Sequence, residues 1–247
     1  ENAHIMRPGY AIEYDYFNPQ ALKFSLETKA INNLYFAGQI NGTTGYEEAG
    51  AQGLLAGLNA ARRAWDQEQW TPKRDEAYIG VLIDDLVTLG TKEPYRMFTA
   101  RAEYRLKLRH DTADKRLVKY GYRCGLKTQT QFDFVNAKYA RLEEIEAQLL
   151  KNPKMKNPGY PENEWEAAQV EVKYKYYIEK QDKRVEKLHK MENTKIPADF
   201  DYGSIPSLSA ESRYKLEQIR PVTLGQANRI SGIRNSDIML LMVYLKR

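Results

Sequence analysis

Glycine is concentrated in one short stretch of the chain, and this stretch has the composition of a ligand-binding turn. Six of the 15 glycines fall between Gly38 and Gly57, with short polar side chains at Asn41, Thr43 and Thr44. Glycine lets other atoms approach the backbone closely, and a helix N-terminus attracts anions. The stretch has no GxGxxG and no Walker-type lysine. It therefore predicts either a phosphate or flavin contact or a glycine-rich packing motif without a ligand.

Basic residues are concentrated in a second stretch, from Lys92 to Arg123. It holds ten basic and four acidic residues, a net charge of +6, whereas the whole chain carries +5. Concentrated positive charge is typical of a polyanion-binding surface, and arginine suits phosphate through bidentate contacts. Tyr95, Phe98 and Tyr104 are rings of the kind that stack on bases. A solvated charged face, paired with neighbouring acids, is the alternative that the sequence leaves open.

The other reactive residue types form no catalytic or metal-binding constellation. The adjacent carboxylates Asp84-Asp85 and Glu47-Glu48 point in different directions on a helix, which predicts caps or ion pairs. Cys124 is the only cysteine, so we exclude an internal disulfide and expect a reducing, cytoplasmic compartment. No apolar run reaches the roughly 18 residues of a membrane span, so we expect no membrane partner.

The hydrophobic pattern predicts the elements that position these residues. A buried strand over 33–37 leads through the glycine turn into a helix over 46–64. Residues 98–108 alternate between apolar and basic, which fits a strand or ribbon with one basic face. The other predicted elements are helices over 78–89, 112–120 and 131–150, a linker over 151–164, and a long amphipathic helix over 165–191.

Three short helices are predicted at the end of the chain. Their start signals are Ser209, a capping box at Thr223, and the run Asn235-Ser-Asp237 before a helix over 238–246. The last two helices superficially match a helix-turn-helix. Because the final helix is nearly all apolar, the pattern favours a packing helix or a partner-protein face over a DNA reader.

Four stretches of the sequence resemble the glucose-inhibited division protein A family, the tRNA uridine 5-carboxymethylaminomethyl modification enzymes. The most specific is Phe36-Ala-Gly-Gln-Ile-Asn-Gly-Thr-Thr-Gly-Tyr-Glu-Glu-Ala-Gly-Ala-Gln-Gly53. The others are residues 6–14, the run from 89 to 108, and the tail from 205. The family's flavin domain begins with a GxGxxG unit and its catalytic cysteines lie upstream, and neither is found here. We therefore expect the C-terminal part of a longer protein.

The resemblance implies a mainly α chain: a C-terminal helical region attached to a small α/β remnant of an FAD-binding domain of the two-dinucleotide type. We expect residues 1–65 to belong to the FAD domain, 66–164 to form a helical region with the basic segment and linker, and 165–247 to dock tRNA and partners. The implied enzyme uses FAD, NADH, a folate one-carbon donor and a GTPase partner to modify C5 of the wobble uridine. The resemblance also implies a homodimer, and we expect this chain alone to be inactive.

The resemblance also implies site residues. Gln39 is expected to contact FAD, and the residues lining the isoalloxazine side are Asn41, Gly42, Thr43, Thr44, Gly45 and Tyr46. The basic segment becomes a tRNA-facing surface, with candidate residues Arg96, Arg101, Arg105, Lys107, Arg109, Lys115 and Arg116. No catalytic or metal-binding residue is assigned. The alternative function is a helix-turn-helix-like DNA-binding or protein-docking module without an enzymatic role.

Overall fold

The computed structural model describes residues 4, 6, 7, 9 and 13–245. The last residue of the helix predicted over 238–246 and part of the 6–14 stretch therefore lie outside the described residues. The chain is mainly helical. The α-helices are α1 Tyr46–Ala64, α2 Tyr78–Asp84, α3 Ala113–Arg123, α4 Gln129–Lys151, α5 Glu162–Asn193, α6 Ala210–Ile219, α7 Leu224–Arg229 and α8 Asn235–Tyr244. A π-helical turn, Asp85–Leu89, extends α2. The predicted helices over 78–89, 112–120, 131–150 and 165–191 are confirmed.

Two sequence predictions of β structure are wrong. Residues 33–37 make one isolated antiparallel bridge, between Tyr35 and Glu27, because no neighbouring strand runs beside them in the described part of the chain. Residues 98–108 form a 3₁₀ turn, Thr99–Arg101, followed by further turns. The alternation of apolar and basic residues in this segment reflects which side chains are buried, and not strand pairing. Tyr104 and Leu108 are buried, whereas Arg105 is exposed.

The helices α4 and α5 form an antiparallel hairpin joined by the predicted linker. A capping box starts α4, where the Thr128 side chain accepts from Gln131 N–H. The hairpin core is apolar and includes Leu142, Ile145 and Trp165. At α5, the Glu164 carboxylate binds Arg141 in a two-point contact of 2.9 and 2.6 Å. Burial of these side chains and this ion pair hold the two long helices in register.

The helices α6, α7 and α8 form a separate core at the end of the chain, with Tyr202, Leu216 and Leu241 at its centre. The start signals predicted at Ser209 and Thr223 are confirmed, since both side chains accept from the backbone N–H three residues later. The predicted start of the last helix is wrong by three residues, because Asn235-Ser-Asp237 forms the first turn of α8 and Arg234 is the N-cap residue. None of the described helices is both long and apolar enough to cross a membrane.

The helix α2 is the most deeply buried segment. Val81, Ile83 and Leu86 are fully enclosed. The helix also passes close to another part of the backbone, because a Cβ added at Gly80 would lie 2.5 Å from Pro72 O and closer still to Lys73 O. Only glycine allows this approach. The position of α2 fixes the buried charges that are described below.

Candidate functional site

The glycine turn is a short 3₁₀ segment between two glycines with positive φ. Gly38 has φ +84° and Gly42 has φ +80°, and the turn Gln39–Asn41 lies between them. A Cβ at Gly42 would lie 2.6 Å from Thr91 Oγ1. Gly45 then precedes α1 in an extended conformation. Both the conformation and the close neighbours at Gly42 require glycine.

A buried amide network holds this turn against α1. Gln52 Oε1 accepts from Gly38 N at 3.2 Å and from Asn41 Nδ2 at 2.8 Å, and Gln52 Nε2 donates to Thr43 Oγ1 at 2.9 Å. Asn41 and Thr43 are almost completely buried. Their side chains therefore support the turn from behind and do not line an open ligand face. Asn41 Oδ1 is buried without a hydrogen-bond donor among the described residues.

The exposed side of the turn carries three of the predicted cofactor residues, whereas Gly42 and Gly45 are buried. Gln39, Thr44 and Tyr46 are exposed, and the Tyr46 ring is 95% accessible. A cavity of about 550 Å³ lies beside Gly42, bounded also by Tyr16 and by residues near 91–94. The seven predicted cofactor residues thus divide into a buried support and an exposed face. This arrangement fits one wall of a flavin site, with the polar side chains of Gln39 and Thr44 exposed.

A carboxylate in the first turn of α1 connects this helix to the backbone near residue 97. Glu48, in the first turn, is buried, and its Oε1 accepts from Met97 N at 2.7 Å. A Cβ at Gly45 would overlap this carboxylate. The prediction that Glu47-Glu48 forms caps or ion pairs is wrong for Glu48: among the described residues α1 has no side-chain cap, and the buried carboxylate instead accepts from the backbone of Met97.

The basic segment contributes to a second cavity, of about 710 Å³, between the 106–112 turn and the helices α3, α4 and α5. We call it the basic cleft. Its cationic lining residues are Lys107, Arg109, Lys115, Arg116, Lys119 and Lys138, and its acidic lining residues are Asp111, Glu146, Glu171 and Asp182. Four of the seven predicted RNA-facing residues meet here.

Internal contacts neutralise the cations of the basic cleft to different degrees. Arg109 makes two hydrogen bonds to Asp111, at 2.9 and 2.7 Å, and a third contact of 2.8 Å to Glu171. These bonds from Arg109 hold the pKa of Asp111 below its usual value. Lys107 lies 3.4 Å from Asp182. The side chains at the deep end of the cleft are therefore substantially paired.

Lys115 and Lys119 are the most exposed cations of the basic cleft. They lie one helical turn apart on α3, and both are exposed. Lys115 is 4.0 Å from Glu143, which is the limit of an ion pair, and both ammonium groups lie over tyrosine rings. Lys119 and Lys138 were absent from the predicted set. The four-residue spacing between Lys115 and Lys119 could have predicted that Lys119 lies on the same helical face as Lys115. Nothing in the sequence places Lys138 of α4 at this cleft.

The other three predicted RNA-facing residues lie outside the basic cleft. Arg96, Arg101 and Arg105 are exposed, and Arg101 lies over the Tyr95 ring at 4.3 Å. The prediction that Tyr95 and Tyr104 stack on bases is wrong, because both rings are buried in the protein core. Phe98 is 60% exposed and stays available.

A buried ion cluster surrounds Arg74. Its guanidinium contacts Asp84 at 2.8 Å, Asp85 at 2.6 Å and Glu103 at 2.8 Å. Burial disfavours the charge of Arg74, but Asp84 and Asp85 outweigh it and raise the pKa of the guanidinium. Arg229 of α7 binds Asp84 at 2.7 Å. Asp84-Asp85 therefore forms ion pairs, as predicted, and joins the end of the chain to α2.

Comparison with known proteins identifies the class. Residues 1–68 match the family model described as glucose inhibited division protein A. Residues 184–247 match the model described as the tRNA modifying enzyme MnmG/GidA C-terminal helical bundle. Two solved structures of Aquifex aeolicus GidA, in crystal forms II and I, are 41% and 43% identical to this chain, with TM-scores of 0.81 and 0.79.

These matches cover 94% and 93% of this chain but 43% and 42% of the Aquifex chains. The chain therefore spans less than half the length of its solved relatives. It belongs to the glucose-inhibited division protein A family. The predicted fold class is confirmed: the chain is mainly α, with a small remnant of the family's α/β domain at its start.

Proposed function

We propose that this chain supplies an RNA-binding surface and one wall of the flavin site of a tRNA-modifying enzyme. The observation that carries the proposal is the convergence of six cationic side chains from the 106–112 turn, α3 and α4 on one cavity. The presence of the family's C-terminal helical bundle in residues 184–247 supports tRNA as the polyanion. The full enzyme then modifies C5 of the wobble uridine.

The basic cleft binds phosphates through its outer lysines. Lys115 and Lys119 are exposed and lack close ion pairs with carboxylates among the described residues. They can exchange water and counterions for phosphate oxygens at small cost. The deeper residues, Arg109 and Arg116, are held by acids or backbone carbonyls and shape the cleft.

The exposed face of the glycine turn is the part of this chain that would hold FAD. Gln39, Thr44 and Tyr46 would contact the cofactor, while Asn41 and Gln52 keep the turn rigid. FAD would supply the redox chemistry of the full enzyme. NADH and a folate one-carbon donor follow from the family resemblance, and we propose no catalytic residue within this chain.

The C-terminal helices offer a surface for the GTPase partner. On α8, Met239, Met242 and Val243 are exposed, with accessible fractions of 68, 38 and 53%. Neighbouring exposed apolar side chains are typical of protein-binding surfaces. The same face opposes the DNA-reading alternative, because a recognition helix needs polar side chains toward the base edges. We also retain the homodimer as a proposal from the family resemblance.

The test is tRNA binding by residues 1–247, measured by fluorescence anisotropy between 50 and 200 mM salt. In the double variant Lys115→Ala/Lys119→Ala, we expect weaker binding and a plot of log affinity against log salt that is shallower by about 2. The control is Lys154→Ala/Lys156→Ala, which removes two exposed charges from the α4–α5 loop. If the cleft variant and this control bind tRNA equally well, the cleft is not the RNA surface.

Flavin binding and turnover are tested separately. We expect no tRNA modification when this chain is supplied with FAD, NADH, folate donor and the GTPase. Quenching of flavin fluorescence measures any FAD binding, and Gln39→Ala should weaken it. Modified uridine formed by this chain alone would contradict the proposed division of labour.

A further inference from the structure

A short turn next to the glycine turn carries an exposed phenylalanine between two exposed arginines. Phe98 is 60% accessible, whereas the preceding Met97 packs against the apolar residues around α2. Arg96 and Arg101, on either side of Phe98 in the sequence, are also exposed. Phe98 therefore contributes its ring to the surface and not to the core. We call Arg96, Phe98 and Arg101 the arginine–phenylalanine turn.

Hydrogen bonds within the segment hold these three residues together. Arg101 N donates to Phe98 O at 2.9 Å, and Arg101 Nε donates to Arg96 O at 2.9 Å. The Arg101 guanidinium also lies over the ring of the buried Tyr95, 4.3 Å from its centre. The position of the Arg101 side chain is thus fixed by a carbonyl oxygen and a ring, neither of which carries a negative charge.

The positive charge of the arginine–phenylalanine turn is not neutralised within the described part of the chain. There, neither Arg96 nor Arg101 forms an ion pair with a carboxylate. Glu103, the first acidic residue after this turn, binds Arg74 at 2.8 Å instead. In the basic cleft, by contrast, two carboxylates hold Arg109. Exposed guanidinium groups without carboxylate partners are suited to phosphate oxygens, which they bind at two points.

The arginine–phenylalanine turn is attached to the glycine turn by backbone hydrogen bonds. Tyr95 N donates to Gly42 O at 2.8 Å, and Thr44 N donates to Tyr95 O at 3.3 Å, next to a parallel bridge between the two segments. Met97 N, one residue before the exposed phenylalanine, donates to the buried Glu48 carboxylate at 2.7 Å. The exposed ring therefore lies at the border of the surface that we propose as a wall of the flavin site.

We infer that the arginine–phenylalanine turn holds an unpaired loop nucleotide of the RNA beside the wall of the flavin site; this inference rests on the function proposed above. The Phe98 ring stacks on the base, while Arg96 and Arg101 bind neighbouring phosphates. A loop base can turn outward onto a protein ring, whereas a base inside a duplex is already stacked. The two uncompensated charges favour a polyanion over an apolar protein surface. A loop held here would bring an adjacent unpaired uridine to the cofactor side of the glycine turn.

The experiment compares two RNAs with the same number of phosphates, a stem-loop with a seven-nucleotide loop and a duplex without a loop. In Phe98→Ala, we expect a roughly five-fold or greater loss of affinity for the stem-loop, the effect of losing one base–ring contact. Affinity for the duplex and the salt dependence should stay as in the wild type. Phe98→Tyr keeps a ring and should bind the stem-loop as the wild type does. Circular dichroism verifies that each variant is folded.

The matched control is Trp65→Ala. It removes another exposed ring, 72% accessible, at the opposite end of α1 from the glycine turn. This variant should bind both RNAs as the wild type does. If Trp65→Ala and Phe98→Ala weaken the stem-loop equally, the effect is not specific to the arginine–phenylalanine turn and the inference is wrong.

The double variant Arg96→Ala/Arg101→Ala tests the phosphate contacts. We expect weaker binding of the stem-loop and a plot of log affinity against log salt that is shallower by about 1.4, the value for two single-strand phosphates. Affinity for the duplex should stay as in the wild type. An equal loss for both RNAs would show that these arginines attract any polyanion, which contradicts a site for a loop nucleotide.

The cleft variant Lys115→Ala/Lys119→Ala distinguishes this inference from the proposed function. If it weakens both RNAs while Phe98→Ala binds the stem-loop as the wild type does, the base contact is wrong and the proposed RNA surface stands. If Phe98→Ala weakens both RNAs equally, the ring does not recognise unpaired bases and the inference is also wrong. If the cleft variant binds both RNAs normally, the proposed function itself fails.

Discussion

The ion cluster around Arg74 and the basic cleft use the same charged residue types in opposite ways. Around Arg74, carboxylates surround a guanidinium that is 8% exposed, so the charges compensate each other inside the protein. In the basic cleft, cations border a cavity of about 710 Å³, and Lys115 and Lys119 face solvent. The two regions lie close together in the sequence. What distinguishes them is the burial of the charged side chains and the number of carboxylates around each cation.

A count of charged residues therefore does not identify a binding surface. A buried cation that satisfies carboxylates is costly to remove because it leaves those carboxylates uncompensated. A solvent-facing cation contributes little to stability and is available to a ligand. Variants in the two regions should therefore change different properties, namely folding stability in one and RNA affinity in the other.

The largest expected effect comes from Arg74→Met. Because Asp85 would lose its buried counter-ion and Asp84 would keep only Arg229, we expect a loss of about 3–5 kcal/mol of unfolding free energy. Urea denaturation measures it. The exposed Arg101→Met is the matched control, with an expected change of less than about 1 kcal/mol. Similar stabilities of the two variants would erase the distinction between buried and exposed cations.

A second prediction concerns the backbone that presents Asp84 and Asp85. Gly80→Ala should destabilise the protein by about 1–3 kcal/mol, because the added methyl group would overlap the Lys73 and Pro72 carbonyl oxygens. Gly53→Ala on α1 meets nothing within 4 Å and should stabilise by about 0.5–1 kcal/mol. Thermal unfolding gives both values. The two changes in unfolding free energy should have opposite signs. A Gly80→Ala variant as stable as the wild type would contradict the close packing of α2.

A smaller effect is expected in the basic cleft. Asp111→Asn removes one of the two carboxylates that hold Arg109 and leaves Glu171 as the other, so Arg109 becomes more available to phosphate. We expect tRNA affinity to rise about two- to five-fold, consistent with the modest free energy of partly exposed ion pairs. Glu217→Gln on α6 is the control for the change in net charge. An equal rise in both variants would indicate a nonspecific charge effect.

The smallest effect is a pH dependence at Asp114. Burial alone would raise the pKa of Asp114, but hydrogen bonds from Lys138 and Tyr139 outweigh it and lower the pKa below the usual 3.8. A carboxyl group with a lowered folded-state pKa stabilises above its unfolded pKa, and this contribution is lost as pH falls through the folded-state value. Asp114→Asn should therefore be less stable than wild type at pH 7, with the difference shrinking below about pH 4.

Melting temperatures at pH 7 and pH 3 measure this difference. The exposed Asp199→Asn serves as the control. If the gap between wild type and Asp114→Asn is constant across this range, the bonds from Lys138 and Tyr139 do not stabilise the charged carboxylate.

The sequence predicted those parts of the fold that depend on neighbouring residues. Helical spacing and the caps at Ser209 and Thr223 act within a few residues, and these predictions are confirmed. The strand predictions at 33–37 and 98–108 failed because a strand requires a partner that local pattern cannot supply. In 98–108, Leu108 N–H bonds to Tyr104 O, a turn within the segment itself.

The candidate sites were predictable to a similar degree. The adjacency of Asp84 and Asp85 predicted caps or ion pairs, but neither the burial of these pairs nor Arg74 as their partner followed from it, because ten residues separate Arg74 from Asp84. The basic cleft contains only part of the predicted set because helix packing, and not charge, selects which cations meet. Lys138 reaches the cleft through the contact between α3 and α4.

The length of α5 fixes a distance across the molecule. Its 32 residues correspond to a rod of about 48 Å, with the α4 hairpin at one end and the C-terminal helices at the other. A nucleic acid that contacts both ends of α5 must bridge that span. RNA fragments that are too short to bridge the two ends of α5 would gain no avidity from the second end. The affinity for tRNA fragments should therefore increase stepwise with the length of their stem.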